Sequence, residues 1–255
     1  TWLTPGSNRS GKSTSTWRAS RRHLTRFSRT VLSEPARLLT RRSIGCDNSW
    51  DWTTNSVTSP VYSTLDALLT AVRGCRACEA HLPLGPRPVL AAAATARVLI
   101  VGQAPGLRVH QTGIPWNDAS GERLRGWMGV DGALFYDASR IAIIPMGYCY
   151  PGRGNGGDKP PRRECATLWL DQLLSRLPQL ELTLLIGQFA QRHFLGTRRK
   201  RSLADTVKGW EAYAPDYLPL PHPSPRNQPW LKHHPWFERR LVPVLRARIS
   251  TLLPR

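Results

Sequence analysis

The chain has 255 residues, 40% of them hydrophobic, with a mean hydropathy of −0.36. That length suits one sizeable domain with a tail, and no apolar run approaches the roughly 20 residues that cross a bilayer. The 36 Lys and Arg against 17 Asp and Glu give a formal net charge of +19, a balance that draws polyanions, nucleic acid above all.

A basic tail alone does not explain this charge. Residues 1–58 hold 10 Lys/Arg and 3 Asp/Glu, which leaves +12 on residues 59–255. The five cysteines (46, 75, 78, 149 and 165) are too few for a disulfide scaffold in a chain this long. With no secretory h-region, a reducing cytoplasm and a monomer are the expectations.

Residues 1–58 are rich in Ser, Thr and Arg and show no amphipathic period, so they read as a disordered basic segment ahead of a domain at 59–255. An Arg- and Ser-rich, acid-poor leader also resembles an organelle transit peptide. Within it, Gly6 to Ser13 satisfies the P-loop pattern G-x-x-x-x-G-K-[ST]. That motif needs a buried strand before it and a helix after it; neither is present in the pattern, so the match is read as chance.

The first convincing helix is 62–73, capped by Ser63 or Thr64, with Leu65, Leu68, Leu69 and Val72 on one face. Cys75-x-x-Cys78 and a proline-rich connection follow. Residues 97–101 read as a buried strand, cut short by Gly102-Gln103-Ala104-Pro105-Gly106. A polar loop is expected to Asn117, then a helix over 120–129 with Leu124 and Trp127 or Met128 inward. A second strand at 140–145 opens into a glycine-rich loop, 147–157. A helix over 161–177 carries Cys165, Leu168, Trp169, Leu173 and Leu177 on its apolar face. Then come a strand at 182–186, a short helix at 188–194, a basic linker at 198–201, a helix at 203–213, a strand at 217–220 and a closing helix at 236–252.

Strands alternating with helices imply a mainly parallel sheet covered on both faces. Ligands in such sheets bind beyond the carboxyl ends of the strands. The loops at 102–117, 145–157, 187–188 and 221–228 therefore gather at one edge, and Gly102–Gly106 is the first candidate for a binding turn, since small residues let backbone amides approach a ligand.

The pairing of Gly102-Gln-Ala-Pro-Gly106 after the first strand with His222-Pro-Ser-Pro225 after the last resembles the two signature motifs of the uracil-DNA glycosylase superfamily. The resemblance runs from about Leu65 to Leu252. It implies a three-layer α/β/α sandwich on a four-stranded, mainly parallel sheet. It also implies a DNA repair enzyme that hydrolyses the N-glycosidic bond of a flipped uracil or related deaminated base, or else a weakly active or non-catalytic nucleic-acid-binding protein of the same fold. By that resemblance His222 donates to the base O2, Trp116 stacks on the base, Ser224, Arg226 and Asn227 grip the strand, and Gly102, Ala104, Pro105 and Gly106 wall the pocket. Cys75, Cys78, Cys149 and Cys165 resemble the four-thiolate pattern of the family's iron–sulfur branch, implying a structural [4Fe–4S] cluster; zinc or four unligated thiols are the other readings of the same four residues.

Three positions depart from the family pattern. Gln103 stands where that branch has Glu, and Ala104 where the most active members have a water-activating Asp. A neutral amide orients water but cannot take its proton, which leaves His110 and Asp118 as candidates in the same loop. Pro145 stands where the uracil-reading Asn is expected and brings no donor, so Tyr148, Asn155 or Gln188 takes over the reading of the base edge.

Overall fold

The computed structural model describes residues 62–254. The expected basic segment, its P-loop-like match, Cys46 and the boundary at 58/59 lie outside those residues. Six strands are found among the described residues: β1 (Val98–Val101), β2 (Ile141–Ile143), β3 (Arg153–Gly154), β4 (Gly157–Asp158), β5 (Leu182–Ile186) and β6 (Tyr217–Leu220). The α-helices are α1 (Leu65–Arg73), α2 (Leu107–Thr112), α3 (Ala119–Met128), α4 (Gly132–Tyr136), α5 (Asp171–Leu174), α6 (Gly187–Leu195), α7 (Leu203–Lys208), α8 (Gln228–His233) and α9 (Val242–Leu252).

The main sheet runs β2-β1-β5-β6, parallel throughout, with Ile100 level with Ile143 and Leu184, and Leu184 level with Leu218. Side chains alternate between two cores. Val98, Ile100, Ile141, Ile143, Leu184 and Leu218 pack with α3 and α9, while Leu99, Val101, Ala142 and Leu185 pack with α1 and α6. Both faces are covered, which is why these strands read as unbroken apolar runs rather than alternating ones. Pro219 is tolerated because β6 is an edge strand. The result is the expected three-layer α/β/α sandwich.

The chain leaves β1 toward β2 on one side and leaves β5 toward β6 on the other. The loops after β1 and β5 therefore diverge, opening a crevice at the carboxyl ends of two adjacent strands.

Several elements differ from the pattern reading. Residues 107–112, expected as loop, form α2, and only Val109 on it is buried. The same scarcity of buried positions hid α4 and α8, which bury Phe135 and Leu231 alone. The glycine-rich loop folds back as the β3–β4 hairpin. The helix expected over 161–177 contains a π-turn at Ala166–Leu170 before α5, and that expected over 203–213 breaks at Gly209 into α7 and a 3₁₀ turn. On α3 both Trp127 and Met128 are buried.

Candidate active site

The turn after β1 is held by its neighbour: the Met146 and Gly147 amides donate to the Gly102 and Gln103 carbonyls, each at 2.9 Å. At its first residue the turn meets Trp116. A Cβ on Gly102 would come within 2.8 Å of the indole Cζ2, so only glycine leaves room for the ring. Trp116 itself has φ +56°, a left-handed conformation costly for a bulky side chain. Two features hold it there. Its carbonyl lies where a Cβ of Gly121 would stand, and Arg125 donates to the same carbonyl at 3.4 Å. Asp118 caps α3 by accepting the Gly121 amide at 2.8 Å, an interaction typically worth about 1 kcal/mol.

His222 enters from the opposite loop. Its ring lies 5.7 Å from the Trp116 ring, tilted by 33°. Nδ1 accepts the Ser224 amide at 3.2 Å, so the neutral imidazole carries its proton on Nε2. Burial pushes the imidazole below its ordinary pKa, and the Asp118 carboxylate opposes that shift. The loop is braced by the Asn227 amide donating to the His222 carbonyl at 2.8 Å. It is braced again by Arg123 of α3, which donates to the Pro223 and Ser224 carbonyls at 3.3 and 3.2 Å. Gln191, fully buried on α6, ties the ends of β5 and β6 through the Leu185 and Leu220 carbonyls. The sequence reading missed both Arg123 and Gln191. Neither lies in a motif, and only their long-range partners reveal them.

A cavity of about 640 Å³ opens at this edge. Gly102, Gln103, Ala104, Pro105, Gly106, Trp116, Gln188, His222, Ser224, Arg226 and Asn227, all the non-metal residues expected at the site, line it together. So do Pro145, Asp118 and Asp158. His110, Tyr148 and Asn155, the other candidates, are not part of the wall. Tyr148 is fully buried in the core on the α1 side. His110 keeps an unpartnered buried Nδ1, with burial first and Arg87 second lowering its pKa. Among the candidates to replace the family's base-reading Asn, Gln188 alone reaches the cavity.

The four cysteines converge away from this cavity. Cys165 and Cys78 face each other, and that neighbour draws the Cys78 thiol down to about 7 while it and burial push Cys165 up. Burial raises Cys149 to about 11, and Cys78 and Cys75 stand close enough to add to that shift. The Tyr148 amide donates to the Cys165 sulfur at 3.4 Å. All four are free thiols. Among the described residues no three metal-ligating side chains stand close enough to hold a single ion.

The parallel α/β sandwich carries a cavity at its strand switch point, walled by a glycine turn, an indole and a neutral histidine. The family model described as the uracil DNA glycosylase superfamily matches residues 90–246, and the chain belongs to that superfamily, whose members are DNA glycosylases. Among solved structures it is similar to the solution structure of "a putative Uracil DNA glycosylase" from Methanosarcina acetivorans. The identity is 17% and the TM-score 0.35, over 63% of this chain and 97% of that one. No helix among the described residues is long and apolar enough to cross a membrane.

Proposed function

We propose that this protein is a DNA glycosylase that hydrolyses the N-glycosidic bond of an extruded uracil or related deaminated base. The observation that carries the reading is the shared cavity: two motifs separated by more than a hundred residues line one space, with Trp116 and His222 side by side in its wall.

A base must leave the stack to be cleaved, at a cost of a few kcal/mol. Stacking on Trp116 returns about 1–3 kcal/mol of that. As the glycosidic bond breaks, its electron pair stays with the base, and the sugar becomes cationic. The neutral His222 Nε2–H donates to the developing base anion, a fixed donor aimed at charge that appears only in the transition state. Neutrality matters here, because a neutral imidazole holds its proton and stabilises the anion by hydrogen bonding alone. Gln188 and Gln103, both on the cavity wall, carry carboxamides with both a donor and an acceptor. Such groups match the lactam edge shared by uracil and hypoxanthine, and Pro145 adds no donor of its own to favour one of them. Ser224, Arg226 and Asn227 lie on the loop that meets the strand.

The four converging thiols are the donor type that holds an iron–sulfur cluster. Cys75, Cys78, Cys149 and Cys165 would hold it. It would clamp the Cys75–Cys78 loop to the segment after β2 and to the π-turn after Cys165, and hydrolysis asks no redox step of it.

The test is release of the base from a uracil-containing oligonucleotide, read as strand cleavage after alkali. Cleavage above the level of His222→Ala supports the reading. A second reading, a binder that kept the fold without the chemistry, is favoured by the neutral Gln103 and Ala104 at the turn. It predicts salt-sensitive DNA binding with no cleavage.

A further inference from the structure

The turn that should supply a water-activating carboxylate supplies none, because Gln103 and Ala104 are both neutral. The cavity wall nevertheless contains two carboxylates, Asp118 and Asp158. Asp118 is committed: its Oδ1 accepts the Gly121 amide at the start of α3, and its charge faces His222, at the end of the site where the base anion forms.

Asp158 lies elsewhere. It is carried on β4, whose hairpin partner β3 pairs Arg153 with Asp158 and Gly154 with Gly157. Its Oδ2 stands 3.7 Å from the position of a Cβ on Gly106. The two ends of the same five-residue turn are therefore occupied differently. Trp116, with His222 against its ring, stands at Gly102, and a carboxylate stands at Gly106. The hairpin is not free to swing away. The Lys159 amide donates to the Gly152 carbonyl at 2.9 Å, and Arg226, on the His222 loop, donates to the Gly156 carbonyl at 3.3 Å. Tyr150 stands near the Asp158 carboxylate, whose charge adds to the effect of burial in raising the phenol's pKa.

Resting on the glycosylase reading above, we infer that Asp158 is the catalytic base that activates water. The placement suits the chemistry: the anion donor belongs to the Gly102 end of the turn and the carboxylate to the Gly106 end, both on the wall of one cavity. In the step, Asp158 accepts a proton from water, and the water oxygen bonds to the sugar C1′. The C1′–N bond breaks, and its electron pair leaves with the base, hydrogen-bonded by His222. Water is the only co-reactant, and charge balances with a protonated Asp158 and a base anion.

The experiment is single-turnover cleavage of a uracil-containing oligonucleotide by the full chain, compared with Asp158→Asn, Asp158→Ala and Asp118→Asn, with DNA affinity measured alongside. Loss of a general base costs about 10²–10⁴-fold in rate. Asp158→Asn is therefore expected to slow cleavage at least about 10²-fold with DNA affinity unchanged, and formate is expected to restore part of the Asp158→Ala rate. A role confined to capping α2 or holding the hairpin predicts the reverse: Asn accepts an N–H as well as Asp does, so Asp158→Asn would cleave normally. Wild-type cleavage matched by Asp158→Asn overturns the assignment and leaves the glycosylase reading standing. A wild-type chain that cleaves no base overturns that reading, and this inference with it.

Discussion

Trp116 and His222 are in ring contact, 5.7 Å apart and tilted by 33°, although they arrive from opposite ends of the domain. The indole is wedged between that imidazole and Gly102, where a Cβ would come within 2.8 Å of it. A flat ring held this way offers a stacking surface without rotamer loss on binding. Trp116→Ala should lower kcat/KM for uracil excision by roughly 5- to 150-fold, the equivalent of about 1–3 kcal/mol of stacking. Trp116→Phe should recover most of that loss. Equal activity in wild type and Trp116→Ala would place the base elsewhere.

His222 makes a prediction in pH. Burial holds its pKa below the ordinary value near 6.5, so the imidazole stays neutral, with Nε2–H as donor, as pH falls through that value. Titration of its ring proton by NMR should show a midpoint below that of a free histidine. The sign for stability follows. The unfolded chain takes up a proton near pH 6.5 that the folded site refuses, so the His222 contribution to stability is present above that pH and declines as pH falls toward the folded pKa. His222→Asn should flatten this part of the stability curve. His222→Ala should cut the cleavage rate by about 10²–10³-fold, as expected for removing one anion-stabilising donor.

The four parallel strands were legible because each is a short apolar run bounded by turn residues, and the two motifs were legible because they follow strands. What the linear pattern could not carry is anything set by distant partners. Arg123 bracing the Pro223 and Ser224 carbonyls looks like an ordinary surface arginine until the loop is folded onto it. The β3–β4 hairpin is only two residues a side, too short for alternation to register, and its glycines read as loop. Asp158 was invisible as a site residue for that reason. The choice among Tyr148, Asn155 and Gln188 was equally closed to pattern reading, since it turns on which side chain reaches the cavity.

Gly121 shows how a small residue on a helix can govern the site. Its Cα faces the Trp116 carbonyl so closely that a Cβ would overlap the oxygen, and the strained φ of Trp116 leaves that peptide little freedom to retreat. On an exposed helix Gly→Ala is ordinarily stabilising by up to about 1 kcal/mol. Here Gly121→Ala should destabilise, by about 1–3 kcal/mol as for other overpacked sites. Thermal melting should record a fall of several degrees at about 2–4 °C per kcal/mol. Excision should fall further than stability does, because the displaced carbonyl carries the indole with it. The matched control is Gly126→Ala on the same helix, where a Cβ meets nothing, and it should leave both melting and activity near wild type.

The proposed cluster makes a prediction that does not depend on catalysis. Cys165 is the most deeply engaged of the four cysteines: its thiol stands against that of Cys78, its sulfur accepts the Tyr148 amide, and it sits directly before the π-turn at Ala166–Leu170. Protein purified without oxygen should contain close to four irons per chain and absorb broadly in the visible through thiolate-to-iron charge transfer. Cys165→Ser and Cys78→Ser should each lose that absorption and lower the melting temperature, since the clamp between the Cys75–Cys78 loop and the π-turn is gone. Cys46 is not among the four, so Cys46→Ser should retain the iron and serve as the control. Anaerobic protein that is colourless and iron-free, and that melts no higher than its Cys165→Ser variant, would remove the cluster, and the convergence of the four cysteines would then be packing alone.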